Sequence, residues 1–426
     1  VGSNDGMLHA FNAQTGEHRW AWMPSPSFAK LGARADPMAG HQWSVDGAIV
    51  THDVYMNGSW RTILVASTGA GARGLFALDV TDPASPSLLW EWFPNDNDIG
   101  FITGEPVIAR AASGDWIVAT GNGYGSPSNK AMLVILNATN GSVIRKIEVP
   151  NQSTTEANGL SSPGLLYAAG KRLISAYAGD LRGYLWKFDL APTTSGSWAV
   201  GFSNRPLFRA VGPDSNVQPI TAKIRIASDR QLGRVLLFGT GRLLASTDPA
   251  STEKQSIYGI YDRDNALATA TRADLTQQTI SAESGALRTV STNSLSSGAA
   301  GWYLDLTGRA SNVGERVVMP VNYMPEMSLM TVATIRPVAS TDPCGSNVTS
   351  WVMAMSPFNG RGFALFDGGG GSFGAGWRLE GIIASPTPIR QGTRKIMLNV
   401  NAGAAGLAQV QMAIGWNPRA SWAQVR

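Results

Sequence analysis

Gly74-Leu75-Phe76-Ala77-Leu78-Asp79-Val80-Thr81, followed by Leu88-Leu89-Trp90-Glu91-Trp92, decides the fold. The first run is apolar throughout and ends in an aspartate. The gap carries turn residues, and the second run alternates and bears two tryptophans. A continuous apolar run of this length, bounded by turn formers, suits a strand covered on both faces. Outward from it the pattern returns. Gly6–Ala13 leads through Thr15-Gly16-Glu17 to His18–Trp22, and Ala131–Ala138 leads through Asn140-Gly141 to Val143–Ile147. Gly183–Leu190 is a fourth copy, and Trp351–Met355 with Asn359-Gly360 a looser fifth. Asparagine, aspartate and glycine at the turns tolerate left-handed backbone and bond to their own chain, as a hairpin requires.

Upstream of several copies stands another strand pair. Proline introduces its first strand in Glu105-Pro106-Val107-Ile108, Ser162-Pro163-Gly164-Leu165-Leu166, Gln218-Pro219-Ile220-Thr221 and Ser385-Pro386-Thr387-Pro388-Ile389. Its second strand is a run such as Trp116–Gly121 or Val235–Gly241. Four strands per unit, recurring roughly every 50–70 residues, describe a propeller blade. A β-solenoid needs a shorter repeat, and βαβ units need amphipathic helices that this chain lacks. The expectation is an all-β chain in which residues 1–426 form one β-propeller domain of seven modified blades, or six, with four quinoprotein-like strands each. The chain opens inside a blade at Val1 and is expected to be a fragment, with the first strands missing or supplied from the C-terminal segment. Between about Ser246 and Ser297 the pattern thins into Thr, Ser, Ala and Gln, and an irregular insertion with a short helix is expected. Gly368–Gly371 is expected to be a surface loop.

Composition agrees. Charged residues are 15% of the chain, against about 25% in typical domains, and glycine is 48 of 426. Net charge is +4 and the pI about 9.2, but the basic residues are scattered, which argues against a nucleic-acid face. The single cysteine, Cys344, rules out an intrachain disulfide. No stretch approaches the roughly 20 apolar residues of a membrane helix.

Catalytic patterns are absent: no nucleophile elbow, no P-loop, no His-Glu-x-x-His. The histidines His9, His18, His41 and His52 match no zinc spacing and are expected to be structural. Asn95-Asp96-Asn97-Asp98-Ile99-Gly100 superficially resembles a calcium loop, but its acids fall at the wrong positions and Glu105 arrives early. It is expected to be a polar turn, with Asp96 and Asp98 the alternative calcium position. Asp262-Arg263-Asp264-Asn265 reads as a solvated loop.

Gly2-Ser3-Asn4-Asp5-Gly6-Met7-Leu8-His9-Ala10-Phe11 resembles the Asn-Asp-Gly-Met-Leu-His-Ala-Phe signature of PilY/PilC-type pilus proteins. Thr15-Gly16-Glu17, Trp20–Pro24, Gly69-Ala70-Gly71, Gly74–Pro83, Gly121–Tyr124, Tyr177–Gly183, Leu185–Asp189, Gly239–Arg242, Gly301–Leu306, Gly314–Val317 and Asp342-Pro343-Cys344 continue that likeness in order. The resemblance implies a modified seven-bladed propeller that supports pilus extension against retraction, with twitching motility and surface attachment as outputs. It implies minor pilins and other pilus-tip components as partners, with a host or abiotic surface reached through an N-terminal region missing here, and an exported protein at the pilus tip, cell surface or outer membrane. It also implies an Asp/Asn-rich calcium loop just before Tyr177-Ala178-Gly179-Asp180-Leu181. Here residues 165–174 read Leu-Leu-Tyr-Ala-Ala-Gly-Lys-Arg-Leu-Ile, with no carboxylate and two cations, so the loop is expected to hold no calcium and no cofactor is expected. Asp180 is expected to be a structural turn residue. The alternatives are a quinone-dependent dehydrogenase-like propeller, which needs a calcium site and a catalytic aspartate, and an outer-membrane assembly scaffold.

Overall fold

Alternate residues of the strand Leu75–Asp79 point into two different cores. Leu75 and Ala77 pack with Val65, Trp90, Val118 and Val134, while Phe76 and Leu78 pack with Leu8, Val45 and Ala66. A strand has a two-residue side-chain period, so an all-apolar run is the signature of a sheet covered on both faces. Sheet after sheet is built this way.

The computed structural model describes residues 1–413 apart from 37, 230–232, 264–267, 309–313, 338–347, 369–370, 382, 384–386, 392–394 and 402–406, with side chains to Ile383. Asp264, Asn265, Asp342, Pro343, Cys344, Gly369, Gly370, Ser385 and Pro386 lie outside the described residues. The described strands form seven sheets, and the chain divides into two compact units, Val1–Leu181 with Leu185–Pro206 and Arg182–Tyr184 with Leu207–Arg426.

In the first unit, sheet one is the hairpin Leu8–Phe11 and His18–Trp22. Sheet two is the meander Ile49–Met56, Ser59–Ser67, Leu75–Asp79, Ser87–Trp92, and sheet three is Val107–Arg110, Trp116–Gly121, Met132–Asn137, Val143–Glu148. Sheet four runs Gly164–Tyr167, Leu173–Gly179, Tyr184–Asp189, Ala199–Val200. Neighbouring sheets are joined by tryptophans. Trp20 Nε1 donates to the Pro83 carbonyl at 2.8 Å, and Trp90 Nε1 to the Ala138 carbonyl at 2.9 Å. Gly141, in the hairpin turn of sheet three, has φ +72°, and a Cβ there would lie 2.7 Å from the Trp90 ring. Only glycine satisfies both the turn and the indole above it.

The second unit repeats the device with different strand counts. Sheet five orders Arg225–Asp229, Gly233–Gly239, Ser256–Asp262, Gly301–Asp305 and, in parallel with the last, Leu275–Gln278. Sheet six has six strands and includes Ile280–Ser284 and Leu287–Val290 beside Gly376–Glu380, Thr349–Met355, Leu329–Arg336 and Asn322–Met324. Sheet seven pairs Phe366–Asp367 with Phe373–Gly374 and with Leu407–Ala413, followed by Lys395–Asn401 and Thr387–Gln391. Trp302 Nε1 donates to the Pro357 carbonyl at 2.9 Å, over Gly259 and Gly360.

Three expectations need correction. Four strands per blade holds for sheets two and three, but sheet one has two strands and sheets four to seven have five or six. The stretch 246–297 is not an irregular insertion. It supplies Ser256–Asp262, wholly buried in the middle of sheet five, and three further strands, with single-turn 3₁₀ helices at Asp248–Ala250 and Arg272–Asp274. Several of its polar residues are buried and bonded inside the sheets: Ser256 Oγ donates to Asp305 at 2.7 Å, and Gln278 Oε1 accepts from Ser291 Oγ at 2.6 Å. Finally, the proline-led strand at Gln218–Thr221 is only a bridge, Ile220 to Gly241. The strand proper begins at Arg225.

Candidate functional site

The second strand of sheets two to five is followed directly by a polar residue that is buried completely or nearly so: Thr68, Asn122, Asp180 and Thr240. Each closes the strand onto the segment that follows. Thr68 Oγ1 donates to the Ala72 carbonyl at 2.8 Å. Asn122 donates to the carbonyls of Asp98 and Lys130, and its Oδ1 accepts from the Met132 and Leu160 amides, which uses its amide in full. Asp180 Oδ2 accepts from Trp186 Nε1 at 2.9 Å and Asn158 Nδ2 at 3.3 Å. Burial, with the Asp180 charge adding to it, pushes the Tyr124 phenol well above its usual value. Asp180 is thus an internal anchor of sheet four.

The turn before it is short. Gly164–Tyr167 and Leu173–Gly179 pair directly, and the Ala168 amide donates to the Arg172 carbonyl at 2.8 Å. Gly170 and Lys171 take positive φ, +74° and +58°, to make the reversal. Lys171 and Arg172 are exposed. Calcium takes six to eight oxygens, several of them anionic. This turn offers no carboxylate and two cations, so its donor set does not fit the ion.

Asp96 and Asp98 precede sheet three and meet a residue from its last strand. Lys146 Nζ bonds Asp96 Oδ2 and lies 3.5 Å from Asp98 Oδ2. Asp96 Oδ1 accepts the Asp98 amide at 2.9 Å, so both oxygens of that carboxylate are engaged. The Lys146 hydrogen bond holds the Asp96 carboxyl below its usual pKa, against desolvation. An ammonium group therefore lies between the two carboxylates. Lys146 lies 50 residues along the chain from Asp96, and no local motif signals it.

The histidines separate. His41 lies against Asn4, and His52 packs edge-on to Trp116. His9 and His18, by contrast, face each other across sheet one, with His9 Nδ1 3.1 Å from His18 Nε2. Asp5 Oδ2 bonds His9 Nε2 at 2.7 Å. Among the described residues, no three of His, Cys, Asp and Glu are grouped so as to hold a metal ion.

In the second unit the sequence reading missed a buried charge cluster. Arg288, wholly inaccessible, makes two bonds to Glu315 at 2.7 and 2.8 Å and one from Nε to Glu283 at 2.8 Å. Thr334 Oγ1 donates to Glu315 at 2.5 Å, and the guanidinium lies 4.0 Å from the Trp351 ring centre. Burial alone would lower the Arg288 pKa, but Glu315 and Glu283 outweigh it and raise it. Arg316 beside it is spent on the carbonyls of Arg242, Asp248, Ser251 and Gly314. Glu315 and Arg316 stood in the sequence only as part of a motif, with nothing to mark them as buried.

Residues 1–293 match the family model described as the PilY1 beta-propeller domain. Type IV pilus biogenesis factor PilY1 of Pseudomonas aeruginosa (strain UCBPP-PA14) is 35% identical over 424 residues, covering 86% of this chain and 36% of the relative. A PilY1 homolog of Xylella fastidiosa (strain Temecula1) is 37% identical over 403 residues, covering 91% of this chain and 32% of the relative. The crystal structure of the P. aeruginosa PilY1 C-terminal domain matches with a TM-score of 0.81 at 29% identity, covering 98% of this chain and 92% of that one. The chain spans about a third of the length of the curated relatives it matches.

Proposed function

The chain belongs to the PilY1 β-propeller family, and on that footing we propose that it serves type IV pilus biogenesis as a non-catalytic module. Its relatives are named type IV pilus biogenesis factors, and its seven sheets read as the blades of their propeller. The observation that carries the reading is the match to the P. aeruginosa PilY1 C-terminal domain over nearly all of both chains. The role is support of pilus extension against retraction, with twitching motility and surface attachment downstream. The partners are minor pilins, and the place of action is outside the cytoplasm, at the pilus tip or cell surface. No helix among the described residues is long and apolar enough to cross a membrane.

A non-enzymatic role is supported by the names of the relatives and by how polar groups are used. Asn122 is saturated and Asp180 accepts from two side chains, so both act as internal fasteners. Exposure to pyrroloquinoline quinone should leave its absorbance unchanged, and saturable binding would favour a quinone enzyme instead. No calcium at residues 165–174 is likewise part of the proposal, and its support is the cationic turn at Lys171 and Arg172.

The test is genetic. In a piliated bacterium whose own PilY1 propeller is replaced by this chain, surface pili should be present. Deleting the chain should remove them, and removing the retraction motor as well should bring them back. Pili that persist at full number after the deletion would refute the role.

A further inference from the structure

We propose that His9 and His18 form a two-histidine site for a divalent transition-metal ion, with Asp5 as the carboxylate that positions the His9 ring. The inference starts from a defect in sheet one. His9 pairs with Ala21 and Ala10 with Trp20, but Phe11 pairs with His18, because the register slips between Ala10 and Phe11. Without that bulge Arg19 would stand opposite Phe11. A bulge re-aims side chains, and this one places His18 beside the face that carries His9 and Phe11. The His18 ring is held edge-on to Phe11 at 5.2 Å and 5.3 Å from the ring of His9.

The nitrogens suit chelation. His9 Nδ1 and His18 Nε2 are 3.1 Å apart. Two imidazole nitrogens at about 2.0–2.1 Å from one ion lie roughly 2.9 Å apart at a right angle and roughly 3.3 Å apart at a tetrahedral one. The observed spacing falls between these limits, so small ring rotations admit an ion. The tautomer is set as a ligand requires. Asp5 accepts at His9 Nε2 at 2.7 Å, which places the proton there and leaves the Nδ1 lone pair for the metal. Asp5 is held in turn by the Met7 amide on its other oxygen, at 2.9 Å. This carboxylate–histidine–metal order is the arrangement that orients metal-binding imidazoles.

His18 is exposed and the His9 side chain is 20% accessible, so the remaining coordination positions open to water. Imidazole donors select copper, zinc or nickel over calcium, which wants oxygen, and the affinity order puts copper first. Neither the spacing of the two histidines in the chain nor the match to the family points to this. The bulge creates the site.

The full chain, stripped with chelator, should be titrated calorimetrically with copper(II) chloride and with zinc chloride. One equivalent of each should bind, copper more tightly, and copper EPR should report two nitrogen donors. His18→Gln, at an exposed position, should abolish saturable binding without moving the melting temperature. Asp5→Asn should weaken binding about 10- to 100-fold. His41→Gln and His52→Gln should bind as the parent does. No saturable binding by the parent chain, or unchanged binding by His18→Gln, would overturn the site. Unchanged affinity in Asp5→Asn would remove Asp5 from it.

Discussion

Lys146 between Asp96 and Asp98, and Arg288 between Glu283 and Glu315, are the same arrangement in different surroundings: one cation held by two carboxylates. The first lies near the surface, with all three side chains 28–32% accessible. The second is sealed, with Arg288 at 0% and Glu315 at 1%. Exposed ion pairs contribute little because water and salt screen them. A buried pair costs much to assemble, and breaking it strands a charge without solvent. The difference separates two uses of one chemistry. The buried cluster is a fixed internal tie in sheet six, whereas the half-buried one ties the loop before sheet three to that sheet's last strand.

The largest expected effect comes from breaking the buried member. Glu315→Gln should destabilise the chain by about 3–5 kcal/mol in urea unfolding, since Arg288 loses its bidentate partner. The triple change Arg288→Met, Glu315→Leu and Glu283→Gln should recover most of that loss, because no charge of the cluster remains to be desolvated. A loss of under 1 kcal/mol for Glu315→Gln would erase the contrast between the two clusters.

Lys146→Met should cost less than about 1 kcal/mol at neutral pH. Its effect should be confined by pH. The Lys146 hydrogen bond depresses the Asp96 carboxyl, so this stabilisation is full above the unfolded value of 3.8 and is lost as pH falls through the folded value. Stability curves of the parent and Lys146→Met should therefore differ near neutrality and converge in acid, as followed by thermal melts from neutral pH downward. Curves that diverge further in acid would mean that Lys146 does not set the Asp96 charge. The smallest effect concerns Lys171→Ala, in the exposed turn of sheet four. It should leave the melting temperature where it was, and a marked fall would show that the turn depends on its cation.

Much of the fold was legible. Leu75–Asp79 and Met132–Asn137 were readable because two-sided burial makes a strand apolar along nearly its whole length. Ser256–Asp262 was missed because its inward polar ends, Ser256 and Asp262, and the central Gly259 read as loop residues. Gly259 is there because a Cβ would lie 2.3 Å from the Trp302 indole nitrogen. The candidate sites were less legible for a related reason. Asp96 meets Lys146 only through the strand order of sheet three, and His9 meets His18 only through a bulge. Arg288 meets Glu315 across 27 residues of chain that include the strand Gly301–Asp305 of another sheet. A one-dimensional pattern records which face a residue takes within its own strand, and these pairs depend on how strands and loops return to one another.

We propose that built-in cations, Lys146 at one loop and Lys171 with Arg172 at the other, stand in this propeller in place of calcium. Calorimetric titration of the full chain with calcium, with melting curves in calcium and in chelator, tests it most directly. No saturable heat and coincident melting curves are expected. Saturable binding of one equivalent with a rise in melting temperature would contradict it, and would place an ion where these cations now sit.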